Sequence, residues 1–224
     1  MSPALSIIMP VLNEAPGITA ALQALAPWRE QGAEVLVVDG GSVDNTRALC
    51  AGLASEVLAA PRGRARQMNL GAAHAQGSAL LFLHADTRLP AGAWPAITQA
   101  LQHHAWGRFD VQITGASMML PVVAWLMNRR SRLSGIATGD QAMFMTREAF
   151  NAVGGFPNQP LMEDVELSRR LLRQGRPACL RLRVATSGRR WEQFGVWRTI
   201  VLMWRLRLLY WLGTPAEHLA RFYR

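Results

Sequence analysis

ALLFLHADT, residues 79–87, is a run of apolar side chains that ends in a histidine and an aspartate. Five consecutive apolar residues with polar groups beyond them fit a strand buried on both faces, as in a parallel sheet covered by helices. Upstream, VLVVDGGSVDNT (35–46) repeats the pattern, and its acid, Asp39, again stands at the C-terminal tip. Further on, Glu163 and Asp164 open a helical pattern after GGFP (154–157). Ligands of an open α/β sheet bind beyond the carboxyl ends of the strands, so these acids are expected at one crevice. Carboxylates gathered there repel one another unless a cation joins them, which points to a metal-bound, phosphorylated substrate.

Around these stretches strand and helix patterns alternate with short links. Strands are expected at 5–10, 34–39, 57–58 and 79–83, and helices at 14–26, about 44–53, 64–75 and 90–102. The fold class is therefore α/β, a doubly wound and mostly parallel sheet flanked by helices. From about residue 109 the pattern loosens, with strands expected at 109–113, 141–145 and 180–185 and helices at 121–130 and 165–173. No repeat or low-complexity tract interrupts it. Residues 1–192 read as one domain, whose back half completes the same sheet and supplies a substrate-facing wall, followed by a helical tail over 193–224.

At 224 residues the chain is long enough for a sizeable core. Cys50 and Cys179 are too few and too far apart for a metal knuckle, and read as inert core thiols in a reducing compartment. The N-terminus has no charged and apolar leader pattern, so a cytoplasmic location is expected. All 24 basic residues are arginine, which excludes a P-loop lysine and Schiff-base chemistry. The charge is lopsided: residues 1–112 hold seven Arg against eight acids, and 113–224 hold seventeen against seven. That asymmetry implies an anionic partner for the second half.

The tail suggests which partner. VWRTIVLMWRLRLLYWL (196–212) places Trp197, Trp204 and Trp211 seven residues apart on one helix stripe, interrupted by Arg198, Arg205 and Arg207. Seventeen residues are at the short limit for a membrane span, and each central arginine adds about 3 kcal/mol to the cost of insertion. A Trp/Arg-rich helix lying in the membrane interface fits better than a span; the competing reading is an apolar helix docked on the sheet. A membrane surface, rather than nucleic acid, is the expected partner.

The residues after the first strand, PVLNE (10–14), replace the GxGxxG of a dinucleotide-binding turn, so a nicotinamide or flavin cofactor is not expected. Asp39 suits hydrogen bonds from a base or a sugar hydroxyl. Asp86 suits a hard divalent cation, Mg²⁺ or Mn²⁺, whose remaining ligands come from a diphosphate. Arg62, Arg64 and Arg66 either meet phosphates or form a solvated helix face. His84, beside Asp86, is a poor ligand for such an ion.

In this order, PVLNE, VVDGGSVDNT, GRARQMNLGAAHAQG, LLFLHADT, GDQAMF, LMEDVELSRRL and SGRRW resemble the family 2 glycosyltransferases of the GT-A fold, over about residues 5–192. The resemblance implies an inverting transfer from a nucleotide-sugar, with donor contacts at Pro10, Glu14, Asp39, Arg66, Asn69 and His84. It implies metal ligation by Asp86, a base at Asp164 with Glu163 beside it, and a diphosphate or acceptor channel at Asp140, Arg190 and Trp191. The tail matches a short bacterial subgroup, so a lipid or isoprenoid (carotenoid-type) acceptor and a peripheral place on the inner face of the membrane are expected. The sequence departs from the family at HAD, which stands in place of DxD. It also lacks a glutamine ahead of the Arg-Trp pair, which argues against a processive polymer synthase. Two other classes compete: a non-catalytic nucleotide-sugar or membrane-binding module, favoured by HAD, and a nucleotidyltransferase, which needs a Gly-rich, lysine-bearing loop that this chain lacks.

Overall fold

The computed structural model describes residues 4–223. Its first half alternates β1 (Leu5–Val11), α1 (Ala15–Gln23), α2 (Ala26–Glu30), β2 (Glu34–Asp39), α3 (Thr46–Leu49), β3 (Glu56–Ala59), α4 (Arg64–His74) and β4 (Ala79–Phe82). The second half contains β5 (Thr87–Arg88), α5 (Ala93–Leu101), β6 (Trp106–Thr114), α6 (Leu120–Ser134), β7 (Phe144–Thr146), α7 (Arg147–Ala152), α8 (Glu163–Leu171) and β8 (Ala178–Ser187). Three helices close it: α9 (Arg189–Phe194), α10 (Val196–Trp211) and α11 (Ala216–Ala220).

All eight strands join one sheet in the order β3-β2-β1-β4-β7-β6-β8-β5. β1 to β4 run parallel, β7 enters antiparallel between β4 and β6, and β5 pairs antiparallel with β8 at the edge. The chain winds from β1 outward to β2 and β3, then returns to place β4 on the other side of β1. That reversal is a topological switch point, and it opens a crevice at the tips of β1 and β4.

Both faces of the sheet are covered, which explains the unbroken apolar runs. Ile7, Met9, Val35 and Val37 pack on one side with Ile18 and Leu22 of α1. Ile8, Leu36 and Val38 pack on the other with Met68 and Ala72 of α4. Gly71 lets α4 lie close to the sheet, since a Cβ there would stand 2.5 Å from the Ile8 side chain. α6 is pinned to β6 by Asn128, whose amide exchanges hydrogen bonds with both the N–H and C=O of Val111 at 2.8 and 2.9 Å. Below it, fully buried Arg108 and half-buried Arg132 share the Asp110 carboxylate.

Several sequence expectations change. The helix expected over 44–53 is a single turn: the Asp44 carboxylate accepts from the Thr46 and Ala15 N–H groups at its start, and Gly52 adopts φ +74 just past its end. β5 carries only two residues, too few for any periodicity to show. Cys50 is buried, and burial, with Asp39 adding to it, pushes its thiol up to about 11. Cys179, in contrast, is only half-buried.

Candidate active site

The crevice at the switch point has a volume of about 880 Å³. β1 delivers Pro10 and, just beyond its end, Glu14; β4 delivers His84 and Asp86; α4 delivers Arg64 and Gln67. Gln67 ties the floor together, donating from Nε2 to the Val11 and Val38 carbonyls at 2.8 Å each. A second cavity of about 350 Å³ shares Glu14, Arg64, His84, Asp86 and Glu163 with the first. It adds Asp140, Asp164, Arg190 and Trp191. The acids of distant segments therefore meet in one cleft.

Asp164 lies in the first turn of α8. Its Oδ2 accepts from the Gly139 N–H at 2.9 Å and its Oδ1 from the Val165 N–H at 2.7 Å. A helix N-terminus and donated hydrogen bonds favour the carboxylate. Burial and the neighbouring Glu163 charge oppose them and win, so the Asp164 carboxyl is pushed up to about 6. Glu163 is buried and neutralised by Arg64 at 3.2 Å. The two adjacent acids thus differ: one is tied to a cation, and the other has no ion pair among the described residues.

Met162, at the entry to α8, has φ +64, a left-handed conformation that a non-glycine residue adopts at a cost of roughly 1–2 kcal/mol. It is held there by a small apolar cluster in which Leu161 and Met162 pack with Leu206 of α10 and Leu219 of α11. The C-terminal helices thereby fix the angle at which α8 presents Glu163 and Asp164.

Across the cleft, His84 Nδ1 stands 3.4 Å from Asp140 Oδ1. Burial alone would raise the Asp140 carboxyl, but the His84 hydrogen bond and charge, with Arg64 and Arg190 behind it, hold it below the usual range. Gly139 is required beside this pair, since a Cβ there would stand 2.5 Å from His84 Nε2. Glu14 moves the other way: burial raises its carboxyl, the Arg189 guanidinium at 3.7 Å offsets part of that, and Asp86 and Asp44 add to the rise. Among the described residues, Asp86 itself accepts a hydrogen bond only from the Thr87 hydroxyl, at 3.4 Å.

Three sequence candidates stand apart from the cleft wall. Asp39 is buried, with its carboxylate turned to the Ser42 N–H at 3.1 Å and the Ser42 hydroxyl at 2.5 Å. Asn69 bridges the Phe156 N–H and C=O at 2.9 and 2.8 Å, and Arg66 Nε donates to Asn158 at 2.9 Å. Arg66 and Asn69 fasten α4 to the loop ahead of α8, while Arg62 and Arg64 are the arginines of that segment that face the crevice. Gln67, Arg189, Arg207 and Tyr223 line the cleft without having been singled out for it. Gln67 is four residues after Gly63 and looks like any helical glutamine; Arg207 and Tyr223 reach the cleft only because α10 and α11 fold back.

α10 does not dock its tryptophans on the sheet. Trp197, Trp204 and Trp211 are 67, 65 and 80% exposed, and Val201 and Leu208 continue the same stripe. The opposite face packs through Leu206, with Leu202 and Met203 beside it, on α11 and the loop ahead of α8. No described helix is long and apolar enough to cross a membrane.

The glycosyl transferase family 2 model matches residues 6–152, two thirds of the chain. Many solved structures share the fold. A mannosyltransferase from Pyrobaculum calidifontis, in complex with GDP-Man and Mn²⁺, superposes with a TM-score of 0.64 at 21% identity, over 83% of this chain and 57% of that one. S. aureus TarS 1-349 in complex with UDP-GlcNAc gives 0.63 at 18% identity, over 84% of this chain and 58% of that one. The chain thus spans less than two thirds of the length of these structures. No curated protein sequence matches. The curled, mostly parallel eight-stranded sheet flanked by helices is the GT-A fold.

Proposed function

This chain belongs to glycosyl transferase family 2, and from that premise we propose that it moves a sugar from a nucleotide-diphosphate donor to a hydroxyl or carboxyl acceptor by a single, inverting displacement. The observation that carries this is Asp164, a carboxyl pushed up to about 6 in a cleft that also holds Asp86. A base of that strength is ionised at neutral pH, yet takes a proton more readily than an ordinary aspartate. The acceptor oxygen attacks the anomeric carbon as Asp164 removes its proton, and the nucleoside diphosphate departs from the opposite face. Arg64 and Arg190, both lining the cleft, offset the charge that develops on the departing diphosphate. Glu163, occupied by Arg64, sets the charge around the base and does not compete for the proton.

Asp86 is the residue that would hold Mg²⁺ or Mn²⁺. Among the described residues its carboxylate forms no ion pair, and such ions bind through one or two carboxylates plus substrate phosphates. Among the described residues no three metal-ligating side chains converge, so the donor diphosphate is needed to complete the shell. A bound ion would supply Lewis-acid stabilisation of the leaving diphosphate. His84, turned to Asp140, is placed to orient that acid beside the donor.

The donor half over 1–108 and the acceptor half over 109–192 divide the cleft between them in this reading. The exposed tryptophan stripe supports an acceptor that is lipid- or isoprenoid-linked and a peripheral position on the inner face of the membrane, with the aromatic rings at headgroup depth. Asp164→Asn tests the reading: nucleotide-sugar affinity is expected to persist, while release of nucleoside diphosphate in the presence of acceptor falls about 10²- to 10⁴-fold. Turnover within threefold of the parent would remove Asp164 as the base. The same assay on the parent separates a transferase from a module that only binds nucleotide-sugar.

A further inference from the structure

A third cavity, of about 320 Å³, lies on the other side of Arg190 and Tyr223 from the cleft. Arg198 and Arg205, one turn-pair apart on α10, face it together with Arg190. None of these three guanidiniums forms an ion pair with a carboxylate of the described residues. Among the described residues Arg190 hydrogen-bonds to no carboxylate, although its charge helps to hold Asp140 down on the cleft side: it donates to the Tyr223 carbonyl at 2.8 Å and lies 3.7 Å from the centre of the Tyr223 ring. Arg205 stands 6.0 Å from the Phe222 ring. Three cations around one cavity repel one another until an anion joins them. Phe194, Val201, Leu202 and Phe222 add hydrocarbon to the wall, beside Thr199 and Tyr223. Val201 belongs to the same exposed stripe as Trp197 and Trp204, so the cavity lies along the surface that meets the membrane in the reading above.

We propose that this cavity binds the phosphate headgroup of a membrane amphiphile, with Arg190, Arg198 and Arg205 on the phosphate and the hydrocarbon chain against Val201, Leu202 and Phe222. The inference rests on the transferase reading and narrows it: the lipid-linked acceptor carries a phosphate. Arg190 and Tyr223 form the wall common to cavity and cleft, so a headgroup held here stands next to the site of transfer. Arginine is suited to the role because its planar fork takes two phosphate oxygens at once.

The test is calorimetric titration of the full chain, without donor, using dodecyl phosphate below its micelle concentration, inorganic phosphate and neutral dodecyl maltoside. Dodecyl phosphate is expected to bind saturably, one per chain, and both comparison compounds at least about tenfold more weakly, since each lacks one half of the recognised group. The exposed double variant Arg198→Gln/Arg205→Gln should lose at least tenfold in affinity while melting with the parent. Val201→Asp, also at an exposed position, should do the same by placing a negative charge at the cavity. Equal binding of the maltoside, equal binding of free phosphate, or unchanged affinity in both variants overturns the proposal. Because no donor is present, saturable binding by a protein that never transfers sugar would retain the site and remove the transferase reading. Transfer to a phosphate-free lipid at the rate of its phosphorylated counterpart would do the reverse.

Discussion

Asp164→Asn has a consequence for stability that is separable from its effect on turnover. The Asp164 carboxyl stands at about 6 in the folded chain against an ordinary value of 3.8. A raised value means that the folded state favours the neutral acid. That contribution is present in full below about pH 4 and is lost as pH rises to about 6, after which the difference is constant. At 1.36 kcal/mol per unit, the parent loses about 2–3 kcal/mol from this residue between pH 4 and pH 8. The asparagine variant loses none of it. Against this stands a cost independent of pH. Asparagine has one acceptor oxygen, whereas Asp164 accepts from both Gly139 and Val165, so one N–H is left unpaired at about 1 kcal/mol. The variant is therefore expected to be less stable than the parent by about 1 kcal/mol at pH 4 and more stable by about 1–2 kcal/mol at pH 8. Urea unfolding of both proteins at the two pH values measures it directly. In melting temperature the reversal spans several degrees, at about 2–4 °C per kcal/mol for a chain of this size. A difference between the two proteins that is the same at pH 4 and pH 8 would refute the argument that burial opposes ionisation here.

Arg64→Met should cost about 1–3 kcal/mol, because it leaves the buried Glu163 carboxylate unpaired, and it should move the acidic limb of the rate profile to higher pH by removing a charge that holds Asp164 down. Asn69→Ala removes two hydrogen bonds to the backbone of Phe156 and is expected to cost about 1–3 kcal/mol, read by urea unfolding, with donor affinity unchanged. Replacing Trp197, Trp204 and Trp211 by serine should shift stability by no more than about 0.5 kcal/mol per site, because the rings are exposed, while abolishing flotation with anionic liposomes. A large drop in melting temperature would instead mean that the stripe is part of the core.

Most of the first half was legible because β1, β2 and β4 are runs of apolar residues buried on both faces, and burial leaves a mark in composition; β3, with Glu56 and Ala59 exposed, left only Val57 and Leu58 to read. The acid at each strand tip was legible for the same reason: a charge ending an apolar run needs an explanation. What escaped was set by contacts distant in sequence. Nothing in FMT distinguishes an antiparallel β7 inserted between β4 and β6, since direction depends on which neighbours it meets. Arg64 and Arg66 are two residues apart in one helix and look alike as letters. Only the position of α4 against the loop ahead of α8 turns one toward the crevice and the other toward Asn158. The return of α10 and α11, which brings Arg207 and Tyr223 to the cleft, depends on Leu161 and Met162 docking with Leu206 and Leu219, a pairing across some forty to sixty residues that no local pattern records.

The proposed function stands on a nucleotide-sugar held in the cleft between the tips of β1 and β4, through its diphosphate and a metal on Asp86. Calorimetric titration of the parent and of Asp86→Ala with a panel of UDP- and GDP-sugars, in Mn²⁺ and in EDTA, tests it most directly. At least one donor is expected to bind the parent at one per chain in Mn²⁺, with its affinity falling at least about tenfold both in EDTA and in Asp86→Ala, since a divalent ion held by Asp86 would take further ligands from substrate phosphates. Failure of every donor to bind the parent, or a donor that binds Asp86→Ala as tightly as the parent in Mn²⁺, would contradict it.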